Sequence, residues 1–170
     1  MRVFIIGFMG AGKSHWGRIW ADVSGMSFFD LDELIELDEQ LTIDQIFEKK
    51  GEPYFRQREA ALLHSLLDYD NCIIACGGGT PCFNDNMKWM NDHAFTVFIK
   101  ASPMVLLENM LDEIEKRPIF KHINKEELLT FIRVKLKERD SFYAAAKLTI
   151  SIGDLKKSTI QEIQKLMSNS

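Results

Sequence analysis

Residues Gly7-Phe8-Met9-Gly10-Ala11-Gly12-Lys13-Ser14 carry the spacing G-x-x-x-x-G-K-[ST] directly after the apolar run Val3-Phe4-Ile5-Ile6. The run reads as a buried strand, and Trp16 to Val23 reads as part of a helix. A strand, a glycine-rich loop and a helix start in this order suit the binding of phosphate. The glycines let successive backbone N–H groups, including that of Ala11, curl around anionic oxygens, and the helix turns its positive end toward them. Lys13 is placed to reach the outer phosphates, and the Ser14 hydroxyl is a ligand for Mg²⁺. A glycine-rich turn that binds nothing is the alternative, and the flanking elements count against it.

Three further groups bear on what receives the phosphate. Asp30-Leu31-Asp32 stands at the carboxyl end of an expected second strand, where ligands bind in open α/β sheets. One carboxylate there would face Mg²⁺ and the other a substrate hydroxyl. The same residues, followed by Glu33, are also an ordinary way to start a helix. In Phe55-Arg56-Gln57-Arg58-Glu59, inside a helix opened by Pro53, Arg56 and Glu59 share one face. Glu59 would orient the guanidinium, or the two would form a solvated ion pair. Cys76-Gly77-Gly78-Gly79-Thr80 follows the apolar Cys72 to Ala75, as expected where a backbone must come close to a ligand or merely turn.

These groups need a frame, and the chain has length for one domain with a full core: 170 residues, 46% apolar and 27% charged. Apolar, β-rich runs at Met26 to Phe29, Cys72 to Ala75, Ala94 to Ile99 and Leu148 to Ile152 alternate with helical periodicity, which predicts a parallel α/β sheet. Capping-box patterns at Thr42-x-x-Gln45 and Ser158-x-x-Gln161 open helices, and Gly25 and Gly51 end them. Between Asp112 and Lys125 the periodicity fails around Pro118, which suggests a lid carrying Arg117. The net charge of −4 leaves no electrostatic footprint for nucleic acid. No apolar stretch reaches the ~18 residues of a membrane span, and strand-forming residues begin almost at Met1, so a cytoplasmic protein is expected. Cys72, Cys76 and Cys82 lack metal or disulfide spacing and read as reduced thiols. His15, His64, His93 and His122 receive no catalytic role, and Phe47 and Phe55 are candidate pocket walls.

Taken in order, the motifs resemble the shikimate kinase family of P-loop, nucleoside-monophosphate-kinase-like proteins. The resemblance runs from Ile5 through Ser14, Asp30-x-Asp32, Phe55-Arg56-x-x-Glu59, Ile73 to Gly79 and Lys116-Arg117-Pro118 to Glu138-Arg139-x-x-x-Tyr143. It implies a three-layer α/β fold with five parallel strands in the order 2-3-1-4-5 and a lid at about 112–125, with substrate-binding helices at about 31–69. It implies transfer of the γ-phosphoryl of ATP, with Mg²⁺, to the 3-hydroxyl of shikimate, on the pathway to chorismate and aromatic amino acids, by a monomer. The implied catalytic residues are Lys13, Asp32 and Arg117. Gly10, Ala11, Gly12, Lys13, Ser14 and Arg117 would bind the nucleotide. Asp32, Arg56, Gly77, Gly78, Gly79 and Arg139 would bind the substrate, and Ser14 and, through water, Asp30 would hold the metal.

Three positions depart from that family's pattern: Cys76 replaces Thr or Ser, His15 replaces Thr, and Met110 falls where an adenine-stacking arginine is common. A gluconate-kinase-like or adenylate-kinase-like enzyme shares the loop and lid, but not the other three motifs together. A nucleotide-binding regulator without catalysis is the rival from another class.

Overall fold

The computed structural model describes residues 1–115 and 124–168. Its strands are β1 (Arg2–Ile6), β2 (Ser27–Asp30), β3 (Cys72–Ala75), β4 (Phe95–Lys100) and β5 (Leu148–Ser151). All neighbours pair in parallel, in the order β2-β3-β1-β4-β5. The expected order is therefore the observed one. The helices are α1 (Lys13–Ser24), α2 (Leu31–Glu39), α3 (Ile43–Ser65), α4 (Asn86–His93), α5 (Pro103–Glu115), α6 (Lys125–Ala144) and α7 (Thr159–Ser168).

Parallel strands covered on both faces must be apolar throughout, and the central ones are. Val3 to Ile6 and Cys72 to Ile74 are completely buried, while the edge strands β2 and β5 are only partly so. Trp20 of α1 and Tyr143 of α6 are the largest fully buried side chains, which seats these helices firmly on the sheet.

Local signals decide where the helices begin and end. The Thr42–Gln45 capping box opens α3, and Gly25, in the left-handed region at φ 67°, closes α1. Gly51 interrupts α3 at φ 81°, ψ 165°, and Pro53 follows in the first turn of the resumed helix, as the sequence predicts.

Two edges of the expected lid are helical: α5 continues to Glu115, and α6 starts at Lys125 behind an Asn124 cap. The failed periodicity from Asp112 thus begins in the last turn of a helix and not at its end. The rest of the expected lid, with Arg117, lies outside the described residues. Among the described residues no helix is long and apolar enough to cross a membrane.

The connectivity has one consequence for chemistry. β1 leads into the glycine loop, β3 into the glycine triplet, and β2 ends at Asp30, so three adjacent strands deliver three motifs to one edge of the sheet. That edge holds the carboxyl ends of the strands, where the chain reverses its winding and leaves a crevice.

Candidate active site

The phosphate side is built from backbone. Gly7, Gly10 and Gly12 stand at φ 152°, 79° and 77°, a region that other residues enter at a cost, and Gly12 caps α1 in that geometry. The loop opens on a cavity of about 440 Å³ lined by Gly10, Gly12, Lys13, Ser14, Asn109 and Asp112, among others. Lys13 donates from Nζ to the carbonyl of Phe8 at 2.9 Å, a bond within the loop itself. Burial pushes the Lys13 ammonium below its usual pKa, and the negative charge of Asp32 pulls it back up.

Asp30-Leu31-Asp32 starts a helix, and Asp30 at the same time reaches the phosphate loop. Asp30 Oδ1 accepts from the backbone N–H of Asp32 (3.1 Å) and of Glu33 (3.4 Å), capping α2. Its other oxygen, Oδ2, accepts from Ser14 Oγ at 2.5 Å. A hydroxyl and a carboxylate in contact at the mouth of a phosphate loop are the hard oxygen donors that Mg²⁺ takes, directly or through water, so the residues fit that ion.

Asp32 lies two residues further on, in the first turn of α2. Burial, and next the charge of Asp30, raise its carboxyl to a pKa of about 6, against the opposing pull of Lys13. A base in that range is stronger than an ordinary carboxylate and still ionised at neutral pH. A Cβ on Gly77 would stand 2.8 Å from Asp32 Oδ1 and 3.2 Å from Glu59 Oε1, so only glycine lets the triplet lie against these carboxylates.

The far side is built from side chains. Arg56 Nη1 donates to Glu59 Oε2 at 2.9 Å, and Glu59 is completely buried, so this is no solvated surface pair. Thr80 Oγ1 donates to the other oxygen of Glu59 at 2.6 Å. Arg56 also donates from Nε and Nη2 to Glu52 Oε1, both at 3.1 Å. The ring of Phe83 lies 4.1 Å from its guanidinium carbon and that of Phe55 4.9 Å. Gly79 packs so tightly on this group that a Cβ would meet Nη2 at 2.7 Å.

Arg139 of α6 borders the next residue of the triplet, its Nη1 3.3 Å from the Cβ position of Gly78. That Nη1 is buried with no hydrogen-bond partner among the described residues. A guanidinium nitrogen with spare donors beside a glycine backbone suits an anion. Tyr143, one turn along α6, donates to the Gly78 carbonyl at 2.6 Å. Burial holds its hydroxyl at a pKa of about 12, so it keeps the proton that it donates.

The structure therefore places Lys13 and Ser14 on the glycine loop, Asp30 against Ser14, and Asp32, Arg139 and Arg56 against Gly77, Gly78 and Gly79; Arg117 lies outside the described residues. Sequence reasoning passed over Glu52, Thr80 and Phe83, which hold or flank Arg56, and gave no role to Tyr143. The spacing of Glu52 to Arg56 and of Arg139 to Tyr143, four residues each, is the signal that could have found two of them. Phe47 and Phe55 pack ring to ring at 4.7 Å, and both rings lie near the Arg56 guanidinium.

A protein-family model described as shikimate kinase matches residues 9–168. The shikimate kinase of Phocaeicola vulgatus is 40% identical over 146 residues, 86% of this chain and 83% of that protein. That of Bacteroides thetaiotaomicron is 36% identical over 172 residues, 98% of each chain. The chain belongs to the shikimate kinase family.

Solved shikimate kinases share its fold closely. The crystal structure of the B. thetaiotaomicron enzyme superposes with a TM-score of 0.90 at 35% identity, covering 99% of this chain and 98% of that one. The Acinetobacter baumannii shikimate kinase, solved in complex with shikimate, gives 0.80 at 30%, covering 99% and 93%. The departures from the usual shikimate kinase pattern now have locations. Cys76 is buried, and burial pushes its thiol pKa well above the usual value, so it stays neutral beside the charged cluster. Its Sγ contacts Met90 Sδ at 3.8 Å. Met110 sits against the glycine loop, its Cγ 3.1 Å from the Cβ position of Gly10.

Proposed function

We propose that this shikimate kinase transfers the γ-phosphoryl of ATP to the 3-hydroxyl of shikimate, with the glycine loop as nucleotide site and the Arg56–Arg139 cleft as acid site. The observation that carries the reading is the unpartnered Nη1 of Arg139 beside Gly78 of the glycine triplet, whose next residue, Gly79, packs on a braced Arg56. A small planar carboxylate suits two guanidinium groups far better than it suits lysines.

In this reading the backbone of Gly10, Ala11 and Gly12 and the ammonium of Lys13 hold the phosphates. Ser14, backed by the Asp30 carboxylate, would hold Mg²⁺. When bound, the ion neutralises charge on the phosphate oxygens. Arg56 and Arg139 fix the carboxylate while Asp32 and the triplet backbone hold the ring hydroxyls, so that the 3-hydroxyl oxygen points at the γ-phosphorus. Asp32 accepts the hydroxyl proton as the new P–O bond forms. The bond from phosphorus to the β–γ bridging oxygen breaks, leaving ADP and shikimate 3-phosphate. Positioning and charge supply nearly all of the acceleration for such a transfer. Arg117, matched by the Lys116-Arg117-Pro118 motif, adds its charge to the transferring group. The reading extends to a monomer working in the cytoplasm.

An assay of ADP release with and without shikimate tests this directly. Release that depends on shikimate, and that gluconate or AMP does not support, is the expected result. Release with gluconate or AMP in its place would give the site to a related small-molecule kinase. Nucleotide binding without release under any condition would make the chain a regulator.

A further inference from the structure

We propose that Asn109 is a positioning residue for the nucleotide, holding one peptide of the glycine loop in its anion-binding orientation. The inference rests on reading that loop as the ATP site. Asn109 lies on α5, far from the loop in sequence, and donates from Nδ2 to the carbonyl oxygen of Gly10 at 2.7 Å. It lines the same cavity as Lys13 and Ser14.

What this bond controls follows from peptide geometry. A carbonyl and the N–H of the same peptide unit point in opposite directions, so whatever fixes the Gly10 oxygen also fixes the Ala11 N–H. Glycine at φ 79° has low barriers to either peptide orientation, because no Cβ selects one. A peptide free to flip would turn its oxygen, a negative dipole end, toward the phosphates in place of a donor. The Ala11 N–H also reaches the Phe8 carbonyl at 3.2 Å, the upper end of the usual range, a contact it can share with an anion and one that holds only one end of the unit. Asn109 holds the other.

The contact is also a close fit. A Cβ on Gly10 would meet Met110 Cγ at 3.1 Å, the Leu106 carbonyl oxygen at 3.3 Å and Asn109 Cβ at 3.6 Å. One turn of α5 therefore packs on the loop at the residue whose carbonyl Asn109 holds. Asparagine suits the position because its amide donates without adding charge beside phosphate, which a carboxylate of the same shape would do while donating nothing.

The test is kinetic and binding analysis of Asn109→Ala and Asn109→Asp beside the wild type. Losing one hydrogen bond should raise KM for ATP about fivefold to tenfold in Asn109→Ala, and more in Asn109→Asp, where repulsion adds to the loss. KM for shikimate should stay within twofold. Inhibition by ADP should weaken in parallel, whereas inhibition by adenosine, which carries no phosphate, should not change. An equal loss for adenosine would make Asn109 a base contact, and KM for ATP within twofold of wild type in both variants would overturn the proposal. A general loss of packing would lower the melting temperature and raise both KM values together, also against it. Lys13→Ala, run in parallel, separates the two readings: if it leaves ATP turnover intact, the loop itself is not the nucleotide site. Should Asn109→Ala not fold, the isosteric Asn109→Asp carries the test alone.

Discussion

The two halves of the cleft use glycine for opposite reasons. On the phosphate side, Gly10 and Gly12 are needed for their backbone angles, φ 79° and 77°. On the acid side, Gly79 stands at φ −94°, open to any residue, and is needed because a Cβ would strike Arg56 at 2.7 Å. One half is a shape that the backbone makes for itself. The other is a place the backbone vacates so that long side chains can reach a small ligand. The first half is thus formed mainly by backbone angles, with one long-range brace from Asn109, and the second depends throughout on what holds the side chains: Glu59, Glu52 and Phe83 for Arg56.

The contrast breaks first at Lys13. Replacing it by alanine should cut turnover by roughly 10³-fold or more while leaving the melting temperature little changed, because the loop keeps its glycines. Unfolding of Lys13→Ala would mean that its bond to Phe8 is what shapes the loop, and that this half is not self-made.

Asp32→Asn comes next, with kcat lowered about 10²- to 10³-fold. The pH profile sharpens the point. A carboxyl at about 6 must be ionised to accept a proton, so kcat/KM should fall tenfold per unit as the pH drops below about 6. An Asp32 at its ordinary value would postpone that fall by about two units. A profile flat down to pH 5 would remove Asp32 as the base.

On the acid side, Arg56→Lys should raise KM for shikimate about tenfold to a hundredfold and leave KM for ATP alone, since a point charge cannot replace the fork. Equal losses for both substrates would dissolve the division into two halves. The smallest effect is expected for Gly79→Ala, a rise of about threefold to tenfold in KM for shikimate as the guanidinium is displaced. Its melting temperature should hold, since φ −94° suits alanine. A comparable Gly10→Ala should instead fail in ATP affinity, because both its angle and its neighbours on α5 oppose the methyl group.

The fold was largely legible because its signals are local. Apolar runs fell within a residue or so of every strand, and the Thr42–Gln45 box and Gly51 marked α3 where it starts and breaks. The glycine loop was legible for the same reason: its residues are contiguous and its function is backbone geometry. Arg56 with Glu59 was half legible, since three-residue spacing gives the pair but not the burial that distinguishes a brace from a surface contact. Asn109 was not legible at all, because nothing near it in sequence announces a partner 99 positions away. Thr80 and Phe83 were hidden likewise, their meaning lying in where the turn after β3 meets α3.

Asp30 serves two masters with one side chain, one oxygen capping the start of α2 and the other meeting Ser14. Asparagine caps a helix N-terminus as well as aspartate does, so Asp30→Asn keeps the first duty and loses the charge behind the second. A screen that scored only cellular abundance would rank that variant as neutral, while one that scored growth would rank it as damaging. Position 30 is thus a place where selection for folding and selection for turnover part company, and where tolerance to mutation misleads about importance.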